Sequence, residues 1–375
     1  MIRPINKKMM GLYIHIPFCE KKCLYCSFVV SIGQQARIDA YLNGLEQEAK
    51  HYAGANVGSV YMGGGTPTFM SAAQIEKLLL MVKRHFDIHA DAEWTMEANP
   101  EGLDQDKLTM MHKLGVNRIS LGVQSLNEKY LKYLGRVHDN KTALTAFERI
   151  RAAGFKNINV DLMLSFPSQT IDELREDIEA MTAFKSDHIS AYSLMVEPHS
   201  RFYAQKICVP DSEKQKEQYL LLLSMLETSG FMQYEVSNFA QPNKESSHNI
   251  NYWSAGNYIG LGIGAHSHLD GRRFWNVNKL LDYIKRIEGG QSVIEGEEAL
   301  GSYHRFLEAF IFGLRMNAGI SIQNLEERFG ERLDSERQSI IDECLRGGLL
   351  FLDQGRIKAR LRGRLVLDEI AAKII

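Results

Sequence analysis

No stretch of the 375-residue chain reaches the eighteen or so uninterrupted apolar residues that a membrane-spanning helix needs. Charge of one sign is not in excess either. The net charge is −2, so the molecule as a whole has no electrostatic reason to bind nucleic acid or an anionic membrane, and any such contact must come from a local patch. Cysteine is scarce. There are five, an odd number, which argues against a disulfide framework and for a reduced, cytoplasmic setting. The first residues, Met1 to Ile16, carry Arg3, Lys7 and Lys8, but the apolar run behind them is short and meets Pro17; it does not read as a signal peptide. There is no low-complexity tract. Apolar residues at 45% and charged residues at 24% exclude disorder, collagen and coiled coil, leaving a globular protein. At about 150 residues per domain the length allows two or three domains.

What is present, through the first half, is an alternation of short apolar runs with amphipathic stretches. Candidate strands are Leu12–Ile16, Ser59–Met62, Trp94–Glu97, Arg118–Gly122, Ile158–Leu164 and His188–Ser193. Candidate helices between them are Ile38–His51, Ile75–Phe86, Leu108–Leu114, Thr142–Ala153 and Ile171–Phe184. Repeated βα units with right-handed crossovers predict an α/β fold, a partial (βα)6 TIM-like barrel. In such a fold the working face lies where strands run into the following loops. Polar residues with no packing reason fall there: Gly63–Thr66, Glu97 with Asn99, and Gln124 with Ser125, while Asp161 interrupts a strand between Val160 and Leu162. An unpaired carboxylate inside a strand would cost several kcal/mol. Each residue alone could be a turn or a cap; four strand ends agreeing favour a site.

Past Pro198 the alternation fades. A helix at Ser212–Leu226 leads into Tyr234–Asn278, rich in Gly, Asn, His and aromatics, which reads as loops and short strands. From Tyr303 the order is helix (Tyr303–Leu314), helix (Ile322–Phe329), helix (Ser335–Arg346), hairpin (Leu349–Leu361) and a last helix, a C-terminal α+β winged-helix-like unit. The expected domains are 1–200, the core barrel; 201–300, a connecting segment that faces the substrate; and 301–375, the winged-helix-like domain. Arg346, Arg356, Lys358, Arg360, Arg362 and Arg364 stand against one acid, Asp353. Their alternation fits the solvated face of a strand with Ile357, Ala359 and Leu361 turned inward. A phosphate-binding stripe, or a surface for carboxylates of a ligand or for a protein, are the other readings.

The strongest signal is Cys19-Glu-Lys-Lys-Cys23-Leu-Tyr-Cys26, a C-x3-C-x2-C run after the first strand. Thiolates select soft metals and iron-sulfur clusters. Three on one loop can hold three corners of a four-iron cubane and leave the fourth iron open to a small chelating molecule. Lys21 and Lys22 would favour the thiolate forms. Structural zinc, with His15 as fourth ligand, is the competing reading. It predicts a second ligand pair, and there is none: Cys208 and Cys344 are isolated and read as buried thiols.

The run Tyr13-Ile-His-Ile-Pro-Phe-Cys19 through Cys26, with Gly63-Gly-Gly-Thr-Pro67, resembles the radical S-adenosylmethionine (SAM) enzymes. More narrowly, it is similar to the branch that holds oxygen-independent coproporphyrinogen III dehydrogenase and its heme-chaperone relatives. The resemblance covers nearly the whole chain. It implies a 4Fe-4S cluster on Cys19, Cys23 and Cys26, whose fourth iron is chelated by exchangeable SAM, and one-electron cleavage of SAM to a 5′-deoxyadenosyl radical. It further implies that Tyr13, Tyr25, Gly64, Gly65, Thr66, Glu97, Gln124, Arg136 and Asp161 line the SAM site, although Arg136 alone would read as a solvated charge. In the dehydrogenase a fourth cysteine follows two positions after the third; here that position is Phe28, which matches the chaperone side of the branch. So does His248-Asn-Ile-Asn-Tyr-Trp253.

On that side the resemblance implies that the chain binds heme or another tetrapyrrole and passes it to an acceptor protein, with a separate electron donor for the cluster. Peripheral membrane contact would come through the acceptor, and no nucleic acid is involved. Segment 201–300 becomes the tetrapyrrole-facing part. A heme needs an axial ligand and an aromatic wall. His248 beside Tyr252 and Trp253 could supply both, with His266 and His268 as other candidates. The plain alternative is that His248 and Asn249 satisfy backbone groups in a loop.

Overall fold

The computed structural model describes residues 9–375, so Arg3, Lys7 and Lys8 lie outside the described residues. Six strands follow one another in the sheet in chain order, all parallel: β1 (Met10–Ile16), β2 (Asn56–Gly64), β3 (Asp87–Ala98), β4 (Arg118–Gln124), β5 (Ile158–Leu164) and β6 (His188–Ser193). Their outward positions are Val, Ile, Leu and Met that pack under the helices α1 (Ile38–Ala49), α2 (Ala72–His85), α3 (Gln105–Lys113), α4 (Glu128–Leu134), α5 (Asn140–Ala152) and α6 (Ile171–Ala183). Most of these helices begin at a side-chain cap; Ser71 with Gln74, and Thr170 with Glu173, form complete capping boxes. β3 starts seven residues before the expected Trp94. Its first part is charged and solvent-facing, so no apolar alternation announces it.

The segment after Pro198 adds to this sheet at both edges. After a single helical turn at Arg201–Ala204 comes α7 (Ser212–Thr228). β7 (Met232–Glu235) and β8 (Asn238–Ala240) extend it antiparallel beyond β6. Between the two edges the chain forms a helix that the sequence reading had as loop, α8 (Ser247–Trp253), capped by Ser246. β9 (Tyr258–Leu261) then pairs parallel with β1. β10 (His266–Leu269), β11 (Arg272–Asn276) and, after α9 (Leu280–Glu288), β12 (Ile294–Ala299) continue antiparallel. The result is one open twelve-stranded mixed sheet whose parallel middle is the partial barrel.

Glu48 fastens this second edge to the barrel. Its carboxylate accepts from the Gly262 amide (2.9 Å), Asn276 Nδ2 (2.6 Å) and the Tyr283 hydroxyl (2.6 Å), on the β9–β10 turn, on β11 and on α9. Burial pushes its carboxyl above the usual range and the three donors pull it back.

The C-terminal part has an apolar core of its own, formed by α10 (Ser302–Arg315), α11 (Ile322–Phe329), α12 (Ser335–Arg346), the hairpin β13 (Leu350–Asp353) and β14 (Arg356–Ala359), and a last helix at Leu367–Ile374. The expected basic strand stops at Ala359, and Leu361–Arg364 is a single helical turn. Several of its cations are engaged within the protein. The Arg356 guanidinium donates to the Ala318 and Gly319 carbonyls at 2.7 and 2.6 Å, and Arg364 donates to Asn317 Oδ1 at 2.8 Å and to Gln233. Arg360 lies over the Phe351 ring. No helix among the described residues is long and apolar enough to cross a membrane.

Glu48→Ala leaves three buried donors without an acceptor, so we expect a loss of about 3 kcal/mol, read as a lower urea midpoint of unfolding with the fluorescence baselines unchanged.

Candidate functional site

β1 runs out through Pro17 into the cysteine loop. Short parallel pairing of Phe18–Cys19 with Ser31–Ile32 closes the loop at its base. Its middle is held at Leu24, whose amide donates to the Leu134 carbonyl and whose carbonyl accepts from the Phe202 amide, both at 3.0 Å. The loop after β2 lies directly against it: the Gly65 amide donates to the Ile16 carbonyl and the Thr66 amide to the Phe18 carbonyl, both at 2.9 Å. Only glycine permits this approach at position 65, because a Cβ there would stand 2.6 Å from the Ile16 oxygen and 2.8 Å from the Pro17 carbonyl carbon.

Cys19, Cys23 and Cys26 are free, partly buried thiols. Thr66 Oγ1 donates to Cys19 Sγ and Arg136 Nη1 to Cys23 Sγ, each at 3.4 Å. The flanking lysines do not decide the ionisation. Burial pushes Cys19 up to about 11 and raises Cys26, against which Lys22 is a minor opposing charge. Deprotonation therefore falls to the metal, which releases the protons as it binds. Arg136, read from sequence alone as solvated, is enclosed: besides the thiol it donates to Asn99 Oδ1 (2.8 Å) and the Gly122 carbonyl (2.6 Å).

His15 is committed elsewhere than to zinc. Its Nε2 lies 2.7 Å from the Val29 carbonyl and its Nδ1 2.9 Å from the Tyr13 hydroxyl. A carbonyl only accepts, so the hydrogen-bond network assigns the proton to Nε2, and Nδ1 accepts from Tyr13. Among the described residues, no three His, Cys, Asp or Glu side chains are arranged to hold a single metal ion.

On the other side of the loop stand two carboxyls. Glu97 accepts from the Tyr61 hydroxyl (2.8 Å) and the Gly64 amide (2.9 Å); Asp161 accepts from Asn159 Nδ2 (2.7 Å). Burial pushes Glu97 up to about 7 and Asp161 to about 6, with Arg118 a partial counterweight to both. Two buried carboxyls so raised fit a ligand that brings its own positive charge. Gln124 ends β4 in a left-handed conformation, φ 75°, and its Oε1 accepts from Tyr192 at 2.6 Å. Strain of this kind persists where surrounding contacts fix it. Burial holds the Tyr25 phenol protonated, and the charges acting on it are those of Arg136, Cys23, Cys26 and Asp161. Gly65, Thr66 and Arg136 thus contact the cysteine loop, which carries Tyr25, while Tyr13, Gly64 and Glu97 cluster behind Gly65 and Gln124 and Asp161 lie on the neighbouring strands. Ser125 does not: it bonds Asp177 of α6 and is a structural tether. Cys208, expected to be buried, is exposed, whereas Cys344 is buried.

A cavity of about 470 Å³ opens beside this site. Tyr13, His15 and Tyr61 form the wall on the side of Gly64 and Glu97; Phe28, Tyr252 and Tyr258 supply aromatic surface, and Phe28 is 65% exposed. His248 forms part of the lining from α8, whose N-terminus is capped by Glu93: the Ser247 and His248 amides and the Ser246 hydroxyl all donate to that carboxylate. The His248 ring is 1% exposed, stacked on Tyr61, and both its nitrogens are engaged, Nδ1 with Ser59 Oγ at 2.9 Å and Nε2 with the Tyr252 hydroxyl at 3.1 Å. It satisfies side chains on a helix, not backbone in a loop. Burial lowers it to about 3, so it stays neutral.

Sequence reasoning missed Tyr61, Asn159 and Tyr192. The signal lay in strand parity: Tyr61 with Gly63, Asn159 with Asp161, and Ser190 with Tyr192 alternate at period two on the inward face.

Two family models match, that of the radical SAM superfamily over residues 13–181 and that of the HemN C-terminal domain over residues 303–366. An open parallel barrel that presents three free thiols in this spacing, with that match, defines a radical SAM protein, and the class implies one 4Fe-4S cluster and SAM. The chain is similar to the heme chaperone HemW of Bacillus subtilis, 36% identical over 96% of this chain and 98% of that one. It is similar to the radical S-adenosyl methionine domain-containing protein 1, mitochondrial, of Danio rerio, 33% identical over 99% and 88%. Among solved structures, coproporphyrinogen III oxidase (HemN) of Escherichia coli superposes with a TM-score of 0.87 at 25% identity, covering 98% of this chain and 90% of that one. The chain belongs to the HemW family.

Two outcomes test the site. Gly65→Ala should lower the iron retained per chain after anaerobic reconstitution, because the two loops must part to admit the methyl group. Affinity for SAM should be full above pH 7 and fall as the pH drops through the Glu97 and Asp161 values of about 7 and 6, since a protonated carboxyl no longer attracts a cation. One linked proton costs about tenfold per pH unit below its pKa, so anaerobic calorimetry on the cluster-loaded chain should find binding at least about tenfold weaker at pH 6 than at pH 8, a dependence that Glu97→Gln reduces.

Proposed function

We propose that this protein is a cytoplasmic heme chaperone: it binds heme in the cavity beside the cysteine loop and passes it to an acceptor protein. The observation that carries this reading is the aromatic cavity of about 470 Å³ with exposed Phe28 at its rim, in a chain whose full-length relatives include the heme chaperone HemW of Bacillus subtilis. Phenylalanine at position 28 offers a flat apolar face for a porphyrin, where a cysteine would offer a ligand or a redox group. Cys19, Cys23 and Cys26 would hold the cluster, with Thr66 and Arg136 orienting two of the sulfurs. Glu97 and Asp161 would take the positive groups of SAM beside the Gly64–Gly65 backbone, where the missing side chains make room for the His15 ring and the Ile16–Phe18 backbone. When bound, the pair supplies one-electron cleavage of a carbon–sulfur bond. Thiols kept free for a cluster require a reducing compartment, and a reduced cluster requires an electron-donor protein.

A second reading, oxidation of coproporphyrinogen III, is favoured by the likeness to the Escherichia coli HemN structure along nearly the whole chain. The two separate in one pair of assays. Hemin titrated into the anaerobically reconstituted protein should give a shifted Soret band that saturates at stoichiometric heme; no shift would overturn the chaperone reading. Anaerobic incubation with coproporphyrinogen III, reductant and SAM should yield no protoporphyrinogen, and its formation would establish the second.

A further inference from the structure

The cavity holds three histidines, and they are not equivalent. His15 is closed off between Tyr13 and the Val29 carbonyl. His248 is buried with both ring nitrogens bonded to hydroxyls. To bind a metal, either would have to break a buried hydrogen bond and turn away from its partner, leaving that partner unsatisfied. His266 is different. It begins β10 on the far wall of the cavity, its ring is exposed, and among the described residues neither nitrogen has a hydrogen-bond partner. Its register partner on β11 is Trp275, and the two rings stack with centroids 5.7 Å apart and planes 26° from parallel. The indole therefore limits the rotation of the imidazole without using either nitrogen. Of the tyrosines in the cavity, Tyr252 is bonded to His248, and burial raises the Tyr258 phenol, so that it does not offer a phenolate.

We infer that His266 is the axial ligand of an iron tetrapyrrole bound in this cavity, with Phe28 against the macrocycle and His248 as a buried structural residue of the cavity wall. This rests on the heme reading above. One ring nitrogen of His266 gives its lone pair to the iron while the other keeps its proton, so no proton or electron is exchanged. Partial burial and the nearby Arg273 cation disfavour the imidazolium and outweigh the Glu298 carboxylate, which favours it, so the ring is in its ligating form at neutral pH. β10 is held by ladder pairing on both sides, so the ligand sits on a rigid element while the opposite face of the iron is left accessible for transfer to an acceptor.

The test uses the full reconstituted chain and hemin, reduced anaerobically for resonance Raman spectroscopy. The wild type should show the iron–imidazole stretch of a histidine-ligated ferrous heme. His266→Ala, at an exposed position, should fold normally and lose that band. It should also release hemin to apomyoglobin at least roughly tenfold faster, by comparison with the tenfold or greater losses that weaker, outer-shell changes already cause. Imidazole added to His266→Gly should restore the band. If His266→Ala keeps the wild-type band, the ligand assignment is overturned while heme binding stands. If the wild type takes up no hemin, the chaperone reading falls and this assignment with it.

Discussion

The site depends on one close approach of two backbones. Where the Gly63–Thr66 loop meets the start of the cysteine loop, two amide–carbonyl bonds of 2.9 Å join segments almost fifty residues apart, and no side chain fits between them at position 65. That contact delivers Thr66 to Cys19 and turns the Gly64 amide toward Glu97. Thiols on one side and carboxyls on the other are therefore fixed by a single apposition, and the barrel serves to hold the two strand ends in register for it.

The parallel strands turn an uncommonly polar face inward. Ser59, Thr95, Arg118, Ser120, Asn159 and His188 are each less than 5% exposed, and three of them are joined in a chain of hydrogen bonds: His188 to Asn159, Asn159 to both Ser120 and Asp161, while Arg118 bonds Thr95 and Ser59 bonds His248. Such a network fixes the geometry of a lumen only if its members are satisfied, and here the cations Arg118 and Arg136 only partly offset the burial of the acids. The acids respond by holding their protons to unusually high pH. A lumen short of positive charge is selective without contact specificity, since it attracts any small cation that fits and repels anions. A ligand that brings its own positive charge is the kind such a lumen suits.

Much of this was legible in the sequence, and the limits are physical. The six barrel strands could be read because their outward faces are apolar and their ends carry glycines and polar residues with no packing role. The cysteine spacing and the strand-end residues pointed to the site for the same reason. What escaped notice were residues whose meaning comes only from partners distant in sequence. Tyr61 looks like an ordinary β residue until Glu97 is brought to its hydroxyl and His248 to its ring face. Short strands are expected within Tyr234–Asn278 but not their positions, because they are short and partly exposed, with Gly, Asn and His that signal loops; pairing with β1 and β6 fixes where they lie. α8 is seven residues long and gains its stability from Glu93, some 150 positions earlier. The basic run at 356–364 read as one strand because alternation persists in the letters, although the chain turns at Arg360.

The buried carboxyls and the cavity meet across a wall of tyrosines. Tyr61 donates to Glu97 and presents its ring to His248, and Tyr13 donates to His15 and lies 6.3 Å from the Tyr61 ring. Both hydroxyls are tied down, and burial holds both phenols far above their ordinary range. The wall is consequently uncharged at every physiological pH and cannot itself relay a proton by ionising. A flat, apolar ligand on the cavity side meets only neutral rings, including the neutral His248. The titrating carboxyls stay on the far side. This separation places the buried carboxyls and the aromatic cavity side by side, divided by two aromatic rings whose hydroxyls are taken up by Glu97 and His15.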